Sequence, residues 1–320
     1  MRKNRTIAST ILRTVEWSTF AVVIIIVSLV YYLTQPVRCS RVLYLPAGSS
    51  GSIITYLHRA GIDVNGLDRV LMRFLGYPQH GWIDIGSTRL TKADFLYKIT
   101  HAKAALVPVT LIPGETRALF FDKLARQLGL DRRRLEEAYK KYAPYPDGVI
   151  WPETYYVPKG ISAEHLAYYL VKRSLARHEA LARKFFGLYN EKKWFRYVTI
   201  ASIIQKEAAD EKEMPIIASV IYNRLKKGMP LQMDGALNYG RYSHVKVTKR
   251  RIREDATRFN TYRYSGLPPW PVGSVSLDAL KAAVKPAQTP YLYFVKGKNG
   301  RHIFTSRYSS HLKAIRSGKK

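Results

Sequence analysis

The chain has 320 residues, of which 47% are hydrophobic and 24% charged, a composition that is ordinary for folded protein and argues against global disorder. Lys and Arg number 53 against 23 Asp and Glu, so the formal net charge of +30 favours a negatively charged partner such as nucleic acid, anionic lipid or an acidic cell wall. Cys39 is the single cysteine, which excludes an intrachain disulfide framework.

An uncharged, apolar segment lies near the N-terminus. Residues 17–34 carry no charged side chain, and a helix needs at least about 17 apolar residues to cross the hydrocarbon core of a bilayer. Trp17 at one end and Tyr31 and Tyr32 at the other are typical of interfacial anchors. A cleaved signal peptide is the alternative, but residues 35–38 lack the small-residue pattern of a cleavage site. The segment therefore predicts an uncleaved transmembrane helix.

Basic residues before this segment predict its orientation. Arg2, Lys3, Arg5 and Arg13 precede it, and positive residues near a span stay in the cytoplasm. We therefore expect a single-pass protein of the cell membrane, with residues 1–16 cytoplasmic and the later residues on the extracytoplasmic, periplasmic side. Long domains translocate largely regardless of their own charge. A nucleic-acid partner is not expected on that side, whereas anionic headgroups and cell-wall carboxylates are.

The remaining chain mixes strand and helix patterns, which predicts an α+β fold. Residues 41–105 form a small α+β module, with strands expected at 42–46 and 84–86, a third at 105–111, and helices at 52–60, 68–75 and 92–100. Later helices are expected at 117–128, 131–142, 161–188 (one helix or a pair), 194–209, 215–225 and 277–284. Residues 229–275 are rich in Tyr, Gly and Pro and predict irregular structure, and 291–295 with 302–305 predict a hairpin.

Glu207 has an unusual position in this pattern. Counting back by three, four and seven residues reaches Ile204, Ile203 and Ile200, so the carboxyl group shares a helix face with isoleucines. Apolar surroundings desolvate a carboxyl group and raise its pKa. A general acid that works near neutral pH needs such a pKa. The alternative is a surface glutamate that pairs with Lys206 or Arg224.

Several blocks of the sequence resemble the endolytic murein transglycosylase (YceG-like) family. The stretch Ala201–Glu207 resembles the catalytic helix of that family, and residues 260–269 (Asn-Thr-Tyr-Arg-Tyr-Ser-Gly-Leu-Pro-Pro) are the most specific block. Further similar blocks are Ala218–Leu225, Gly228–Asp234, Pro290–Val295 and His302–Phe304, with weaker ones at Ile112–Thr116 and Asp147–Tyr155. Together the blocks extend over nearly the whole chain after the apolar segment.

The resemblance implies an architecture and an activity. Residues 41–105 correspond to a LysM-like subdomain and 106–320 to a mixed α+β catalytic domain. The implied reaction is lytic cleavage of the bond between N-acetylmuramic acid and N-acetylglucosamine in nascent peptidoglycan strands. It leaves a 1,6-anhydro end and sets strand length. Glu207 is the implied acid and base, and neither a metal nor an organic cofactor is expected. The membrane is the expected anchor site, and peptidoglycan synthases are candidate partners.

Polar and aromatic residues around Glu207 are candidates for substrate binding. Aromatic faces pack on sugar rings, while amide and phenol groups bond to sugar substituents. The predicted substrate-binding residues are Gln232, Asp234, Asn260, Tyr262, Tyr264 and His302. Asp234 and Glu153 are also candidates for a second carboxylate, and Tyr239 and Tyr242 lie in the same irregular region. Core packing, an Asx turn at Asp234 and a structural histidine are the corresponding alternatives.

The chain also departs from the family pattern. Gly235-Ala236 follow Asp234, where family members usually have Pro-Thr, and residues 246–253 are strongly basic. That basic stretch is a candidate contact for wall carboxylates or the outer leaflet, or a solvated loop. Two other functions stay open at this point. One is a non-catalytic peptidoglycan-binding membrane scaffold, in which Glu207 is structural; the other is a nucleic-acid-binding membrane protein, favoured by charge alone.

Overall fold

The structure is a computed structural model that describes the backbone of residues 2–319 and the side chains of residues 13–317. The side chains of Arg2, Lys3 and Arg5, on which the predicted orientation depends, lie outside the described side chains. The chain divides into two compact units. The first extends to Val107 and includes Pro158–Gly160, and the second comprises Pro108–Val157 with the residues from Ile161 onward.

The first unit begins with a long apolar helix, α1 (Arg2–Thr34). Within the described residues, one helical stretch, Arg13–Thr34, is long and apolar enough to cross a membrane, and none of its side chains is buried. The predicted span therefore lies inside a longer helix. Gln35 follows α1, and its carbonyl accepts the N–H of Lys92 at 2.9 Å, so the chain enters the folded module immediately after the helix.

Short strands and helices complete the first unit. They are β1 (Pro36–Arg38), β2 (Val42–Leu45), α2 (Ser50–Arg59), α3 (Gly66–Leu75), β3 (Gly81–Asp84), β4 (Arg89–Thr91) and α4 (Lys92–His101). β1 pairs with β4 and β2 with β3, both antiparallel. Ile53, Leu57, Met72, Phe95 and Leu96 lie in its hydrophobic core, which is thus built from one face each of α2, α3 and α4.

The second unit is mainly helical. Its elements are β5 (Leu106–Thr110, which begins in the first unit), α5 (Arg117–Leu128), α6 (Arg132–Tyr142), β6 (Thr154–Pro158), α7 (Ala163–Phe186), α8 (Glu191–Glu207), α9 (Met214–Lys226), α10 (Asp234–Leu237), α11 (Lys249–Glu254), α12 (Leu277–Val284), β7 (Tyr293–Lys296), β8 (His302–Thr305) and α13 (Tyr308–Lys319). β5 pairs with β6, and β7 and β8 form an antiparallel hairpin.

Helix α8 lies at the centre of the second unit. It packs against α9, α10 and α12, and its side chains from Val198 to Ile204 are all buried. Trp194 near its start is also buried, and its indole N–H donates to Nδ1 of His178 in α7 at 3.0 Å. A helix that is apolar around most of its circumference belongs in a core. Its C-terminal end therefore leaves the core at a defined point, where Glu207 lies.

Most predicted helices occur within one to three residues of their predicted bounds. The predicted helices 117–128 and 277–284 coincide with α5 and α12, and residues 161–188 form one helix rather than a pair. The strand predicted at 84–86 was placed too late in the sequence, because the strand that pairs with β2 is β3, Gly81–Asp84. The sequence analysis did not predict β1, β4, β6 or α13. The irregular segment 229–275 does contain short helices, α10 and α11.

Candidate active site

Glu207 is the last residue of α8. The next residue, Ala208, is extended with ψ 134°, and its N–H still bonds to the carbonyl oxygen of Ile204 at 2.9 Å. Ile203 and Ile204 are fully buried, as the helical spacing predicts. Glu207 is partly exposed as a residue, but its carboxyl group lies among packed protein atoms. The helix thus presents a carboxyl group at the edge of the core.

The main chain of α10 holds this carboxyl group. The N–H of Gly235 donates to Oε1 of Glu207 at 2.6 Å. A Cβ on Gly235 would lie 2.9 Å from both Oε1 of Glu207 and Cβ of Lys206, which is closer than real Cβ atoms approach. A proline at this position would lack the N–H that makes this bond. Gly235 therefore supplies a main-chain donor to Glu207.

The pKa of Glu207 is raised to about 7, from an ordinary value of 4.5. Burial is the main cause, because the charged form loses hydration. The hydrogen bond from Gly235 lowers the pKa, and the negative charge of Asp234 raises it. A carboxyl group with this pKa is present in both protonation states near neutral pH. It can donate a proton in one step and accept one in the next.

Asp234 and Tyr262 form a polar pair beside Glu207. The hydroxyl of Tyr262 donates to Oδ1 of Asp234 at 2.7 Å. Asp234 is exposed and Tyr262 half-buried, so both reach the surface. Burial and the carboxylates of Asp234 and Glu207 raise the pKa of Tyr262 well above its usual value. The phenol therefore stays protonated and remains a donor. The structure brings Glu207, Asp234 and Tyr262 together.

Gln232 belongs to the same surface and has an unusual backbone. Its φ of 51° lies in the left-handed region, which is uncommon for a residue other than glycine. Its N–H donates to the carbonyl of Thr261 at 3.0 Å, and its Oε1 accepts from Arg224 Nη1 at 3.3 Å. The side chain is exposed. Strained residues of this kind cluster at functional sites.

Arg224 supports this region from inside, and the sequence analysis assigned it only as a candidate partner of Glu207. It is 7% exposed and donates to the main-chain carbonyls of Pro230, Leu231 and Leu292 at 3.1, 2.8 and 2.6 Å. Its guanidinium is thereby engaged in holding the turn before Asp234. The surface-pairing alternative for Glu207 is not what the structure contains, since its carboxyl group bonds to Gly235.

Asn260 is not accessible to a ligand. It is fully buried, and its side-chain nitrogen donates to the carbonyls of Ile252 and Asp255, both at 2.8 Å. Its side-chain oxygen accepts the N–H of Tyr262 at 3.2 Å. All these partners are main-chain groups. Direct substrate contact by Asn260, as the sequence analysis expected, does not fit this burial; the amide instead shapes the loop that presents Tyr262.

Tyr264 and His302 have other partners. The hydroxyl of Tyr264 donates to the carbonyl of Ala256 at 3.1 Å, and the ring stays half-buried. Nδ1 of His302 lies 2.7 Å from Oε2 of Glu213, whose Oε1 accepts the His302 N–H at 2.8 Å. This hydrogen-bonded contact joins the β7–β8 hairpin to the turn after α8. It favours the structural reading of His302.

The other candidates also have defined contacts. Glu153 pairs with Arg173 at 2.7 Å, so its carboxylate already has a positively charged partner. Tyr239 stacks on Phe259 with ring centroids 4.2 Å apart. The Tyr242 ring lies 3.8 Å from the guanidinium carbon of Arg251, a residue of the basic stretch. Part of that stretch is therefore packed onto aromatic rings rather than solvated.

A second polar cluster lies behind Glu207 and was missed in the sequence. Burial lowers the pKa of Lys206 to about 8, while the charges of Asp147 and Glu115 act to raise it, and its ammonium donates to Ser243 Oγ at 3.0 Å. Burial raises the pKa of Asp147 to about 6, against the hydrogen bonds that it accepts. The cluster draws on the two upstream blocks, Ile112–Thr116 and Asp147–Tyr155. The similarity of those two blocks to the family was noted in the sequence, but it was not connected to Lys206.

Comparison with known proteins places the chain in a family. A family model described as the YceG-like family matches residues 43–317. The Bacillus subtilis protein named endolytic murein transglycosylase is 32% identical over 180 residues, which are 56% of this chain and 49% of that protein. A Streptococcus pneumoniae protein of the same name is 30% identical over 156 residues, 47% of this chain and 28% of that protein. The chain thus matches about half or less of the length of these curated relatives.

A solved structure shows the same fold. The 2.6 Å crystal structure of a yceG-like protein from Listeria monocytogenes superposes with a TM-score of 0.56 at 24% identity, covering 88% of this chain and 99% of that chain. The family match begins within β2, ends within the last helix, α13, and includes Glu207, Asp234 and Tyr262. This chain belongs to the YceG-like family.

Proposed function

We propose that this chain is a membrane-anchored lytic transglycosylase that cleaves peptidoglycan strands between N-acetylmuramic acid and N-acetylglucosamine. The observation that carries the proposal is the buried carboxyl group of Glu207, with a pKa near 7 and a main-chain donor at 2.6 Å. The names of the Bacillus and Streptococcus relatives support the substrate class.

One carboxyl group is sufficient for this chemistry. Protonated Glu207 gives its proton to the glycosidic oxygen, and the bond from that oxygen to C1 of N-acetylmuramic acid breaks. The Glu207 carboxylate then takes the proton of the C6 hydroxyl as this oxygen attacks C1. A 1,6-anhydro ring closes, and the acid is regenerated without consumption of water. The Gly235 N–H stabilises the carboxylate between the two proton transfers.

Gln232, Asp234 and Tyr262 are the proposed sugar contacts. They lie on one exposed surface beside Glu207, linked by the Tyr262–Asp234 hydrogen bond at 2.7 Å. Asp234 also keeps the pKa of Glu207 high through its negative charge. Ordinary glycosidases use a pair of carboxyl groups, in which the second is a nucleophile or a base. In the lytic reaction Asp234 has neither role, since the sugar supplies the nucleophile.

The remaining parts of the proposal concern placement. Residues 17–34 anchor the chain, residues 1–16 are cytoplasmic, and the rest is extracytoplasmic. Residues 41–105 are a LysM-like glycan-binding subdomain and 106–320 the catalytic domain. Cleavage close to the membrane would terminate nascent strands and set their length, in concert with peptidoglycan synthases. Support comes from the exposed apolar stretch Arg13–Thr34 and from the family of the chain.

Mass spectrometry of the products tests the reaction. Uncrosslinked glycan strands are digested with the full chain in detergent, with Glu207→Gln and with a matched control, Glu153→Gln, whose carboxylate pairs with Arg173. We expect fragments ending in 1,6-anhydro-N-acetylmuramic acid from the unmodified chain and the control only. Reducing ends would indicate a hydrolase and a second carboxylate at Asp234. Strand binding without cleavage would favour the non-catalytic scaffold.

A further inference from the structure

An apolar stripe on helix α3 is exposed. Leu67, Val70 and Phe74 are spaced by three and four residues and are 44%, 43% and 84% exposed. Tyr77, just after the helix, is 82% exposed. We call these four residues the α3 stripe. The opposite face of α3 is buried through Asp68 and Met72, so the stripe is not needed for the core. A contiguous exposed apolar surface of this kind marks an interaction site.

Basic side chains border the stripe. Arg69 and Arg73 are exposed and lie along one edge of the same helix. A helix with large apolar residues on one side and Lys or Arg beside them is typical of segments that lie in the membrane interface. Exposed aromatic rings, such as those of Phe74 and Tyr77, are also favoured at that depth. The chemistry of α3 thus matches an anionic lipid surface.

The start of α3 contacts the end of the apolar helix α1. Asn65, the N-cap of α3, accepts a hydrogen bond from the Tyr32 hydroxyl at 3.0 Å. Lys92, which is 1% exposed, donates to the same hydroxyl at 3.3 Å and to Asp68 of α3 at 3.5 Å. These contacts are all within the first unit. They join α3 to the last turn of α1 through the exposed Tyr32–Asn65 hydrogen bond and through the buried groups of Lys92 and Asp68.

The length of the apolar stretch sets the depth in the membrane at which Tyr32 contacts Asn65. Arg13–Thr34 comprises 22 residues, which make a helix about 33 Å long at 1.5 Å per residue. That is close to the ~30 Å hydrocarbon core of a bilayer. Tyr32 therefore lies at the headgroup level when α1 crosses the membrane. Asn65 and the start of α3 must lie at the same level, because a hydrogen bond connects them.

We propose that α3 lies in the interface of the membrane that α1 crosses, with the α3 stripe toward the acyl chains and Arg69 and Arg73 among anionic headgroups. The inference rests on the proposed membrane anchor. It gives the first unit two attachments to the bilayer, the spanning helix and α3. Two attachments prevent the unit from turning freely about the end of the helix.

Depth-dependent quenching of a label tests this arrangement. Cys39→Ser first removes the single cysteine of the full chain, and Phe74→Cys then introduces a new one. An environment-sensitive fluorophore is attached at position 74, and the labelled chain is placed in phosphatidylglycerol vesicles. Leu188→Cys is the control, since Leu188 is an exposed apolar residue of the second unit (60%). We expect lipids brominated in the upper acyl chain to quench the label at 74 roughly threefold or more above the control. Aqueous iodide should show the reverse order.

Charge reversal adds a second arm. Arg69→Glu together with Arg73→Glu should reduce lipid quenching at 74 in phosphatidylglycerol vesicles and have little effect in phosphatidylcholine vesicles, because the attraction to anionic headgroups is lost. Equal quenching at 74 and 188 by both reagents would overturn the proposal. If the label at position 74 were protected from iodide only at high protein density, the α3 stripe would contact a second copy of the chain. That result would also overturn the proposal.

Extraction of the same vesicles at alkaline pH separates this inference from the anchor. If the chain resists extraction but its label at position 74 is exposed to water, the proposed anchor stands and the interfacial position of α3 is refuted. A chain that is extracted from the vesicles would refute the anchor and, with it, the position of α3.

Discussion

The main-chain nitrogen of Gly235 lies 2.6 Å from Oε1 of Glu207, so the first turn of α10 holds the last residue of α8. Every other known influence on the Glu207 carboxyl group opposes its charge. Burial and the nearby Asp234 both raise its pKa, and the Gly235 N–H alone lowers it. This contact therefore moderates the rise in the pKa of Glu207 that burial causes.

Gly235→Ala is expected to damage the site directly. The new Cβ would lie 2.9 Å from both Oε1 of Glu207 and Cβ of Lys206, so the carboxyl group and the end of α8 must move. We expect a loss of about 1–3 kcal/mol in the free energy of unfolding, as for other overpacked sites, and a large loss of glycan cleavage. Gly66→Ala is the control, because a Cβ there meets nothing within 4 Å. Equal stability and activity of the two variants would contradict this contact.

The rate of cleavage should fall as pH rises through about 7. The first step needs protonated Glu207, and the pKa of this group is raised to about 7. Asp234→Asn removes a negative charge that raises this pKa, so the alkaline limb should move to lower pH. Initial rates across the neutral range measure the shift. Asp278→Asn is the control, because Asp278 pairs with Lys281 on the surface, and it should not change the pH at which the rate falls. If Asp234→Asn moved that fall to higher pH, the role given to the Asp234 charge would be contradicted.

Glu207→Gln should stabilise the fold at alkaline pH while it abolishes cleavage. The folded state raises the pKa of Glu207 above its ordinary 4.5, so its contribution to stability is fully present below pH 4.5 and is lost as pH rises through about 7. A neutral amide avoids that loss and can still accept the Gly235 N–H. We expect a gain of roughly 1–3 kcal/mol at pH 8 and little gain at pH 4, measured by denaturant unfolding. A gain that does not depend on pH would show that the charge is not the cause.

Asp147→Asn should destabilise the second unit. The buried carboxyl group accepts the Arg117 N–H at 3.1 Å on each oxygen and the Gly148 N–H at 2.8 Å. An amide would turn an N–H donor toward one of these donors and leave a buried group unsatisfied. The expected cost is about 1–3 kcal/mol in the free energy of unfolding, offset in part above about pH 6, where the amide also removes a buried charge. Asp122→Asn, at the partly exposed Arg132 pair, should cost less than about 1 kcal/mol.

His302→Ala distinguishes a structural histidine from a substrate contact. The side chain pairs with Glu213 at 2.7 Å, and both are largely buried. Burial would raise the pKa of Glu213, but the hydrogen bonds from His302 and Ala209 lower it. We expect a loss of stability at neutral pH that diminishes as pH falls toward the lowered pKa of Glu213, and an unchanged KM for glycan strands. A raised KM with unchanged stability would instead support the substrate contact that the sequence analysis expected.

Local sequence pattern was sufficient for most of the helices and for the character of Glu207. The helix 117–128 was predicted to the residue, because apolar spacing defines it and Gly129, in the left-handed conformation, ends it. The isoleucines before Glu207 predicted a carboxyl group with a raised pKa, since helical periodicity alone decides which side chains share a face. The resemblance to a family located the surrounding blocks.

The contacts that decide the chemistry came only from the tertiary structure. The bond from Gly235 to Glu207, the burial of Asn260 and the pair of His302 with Glu213 each join residues that no periodicity relates. The three-residue strands β1 and β4 are likewise too short to show alternation before they pair. Periodic side-chain patterns record which face of an element is buried. A hydrogen bond between loops depends on where the whole chain places two main-chain segments, and that information is distributed over the entire fold.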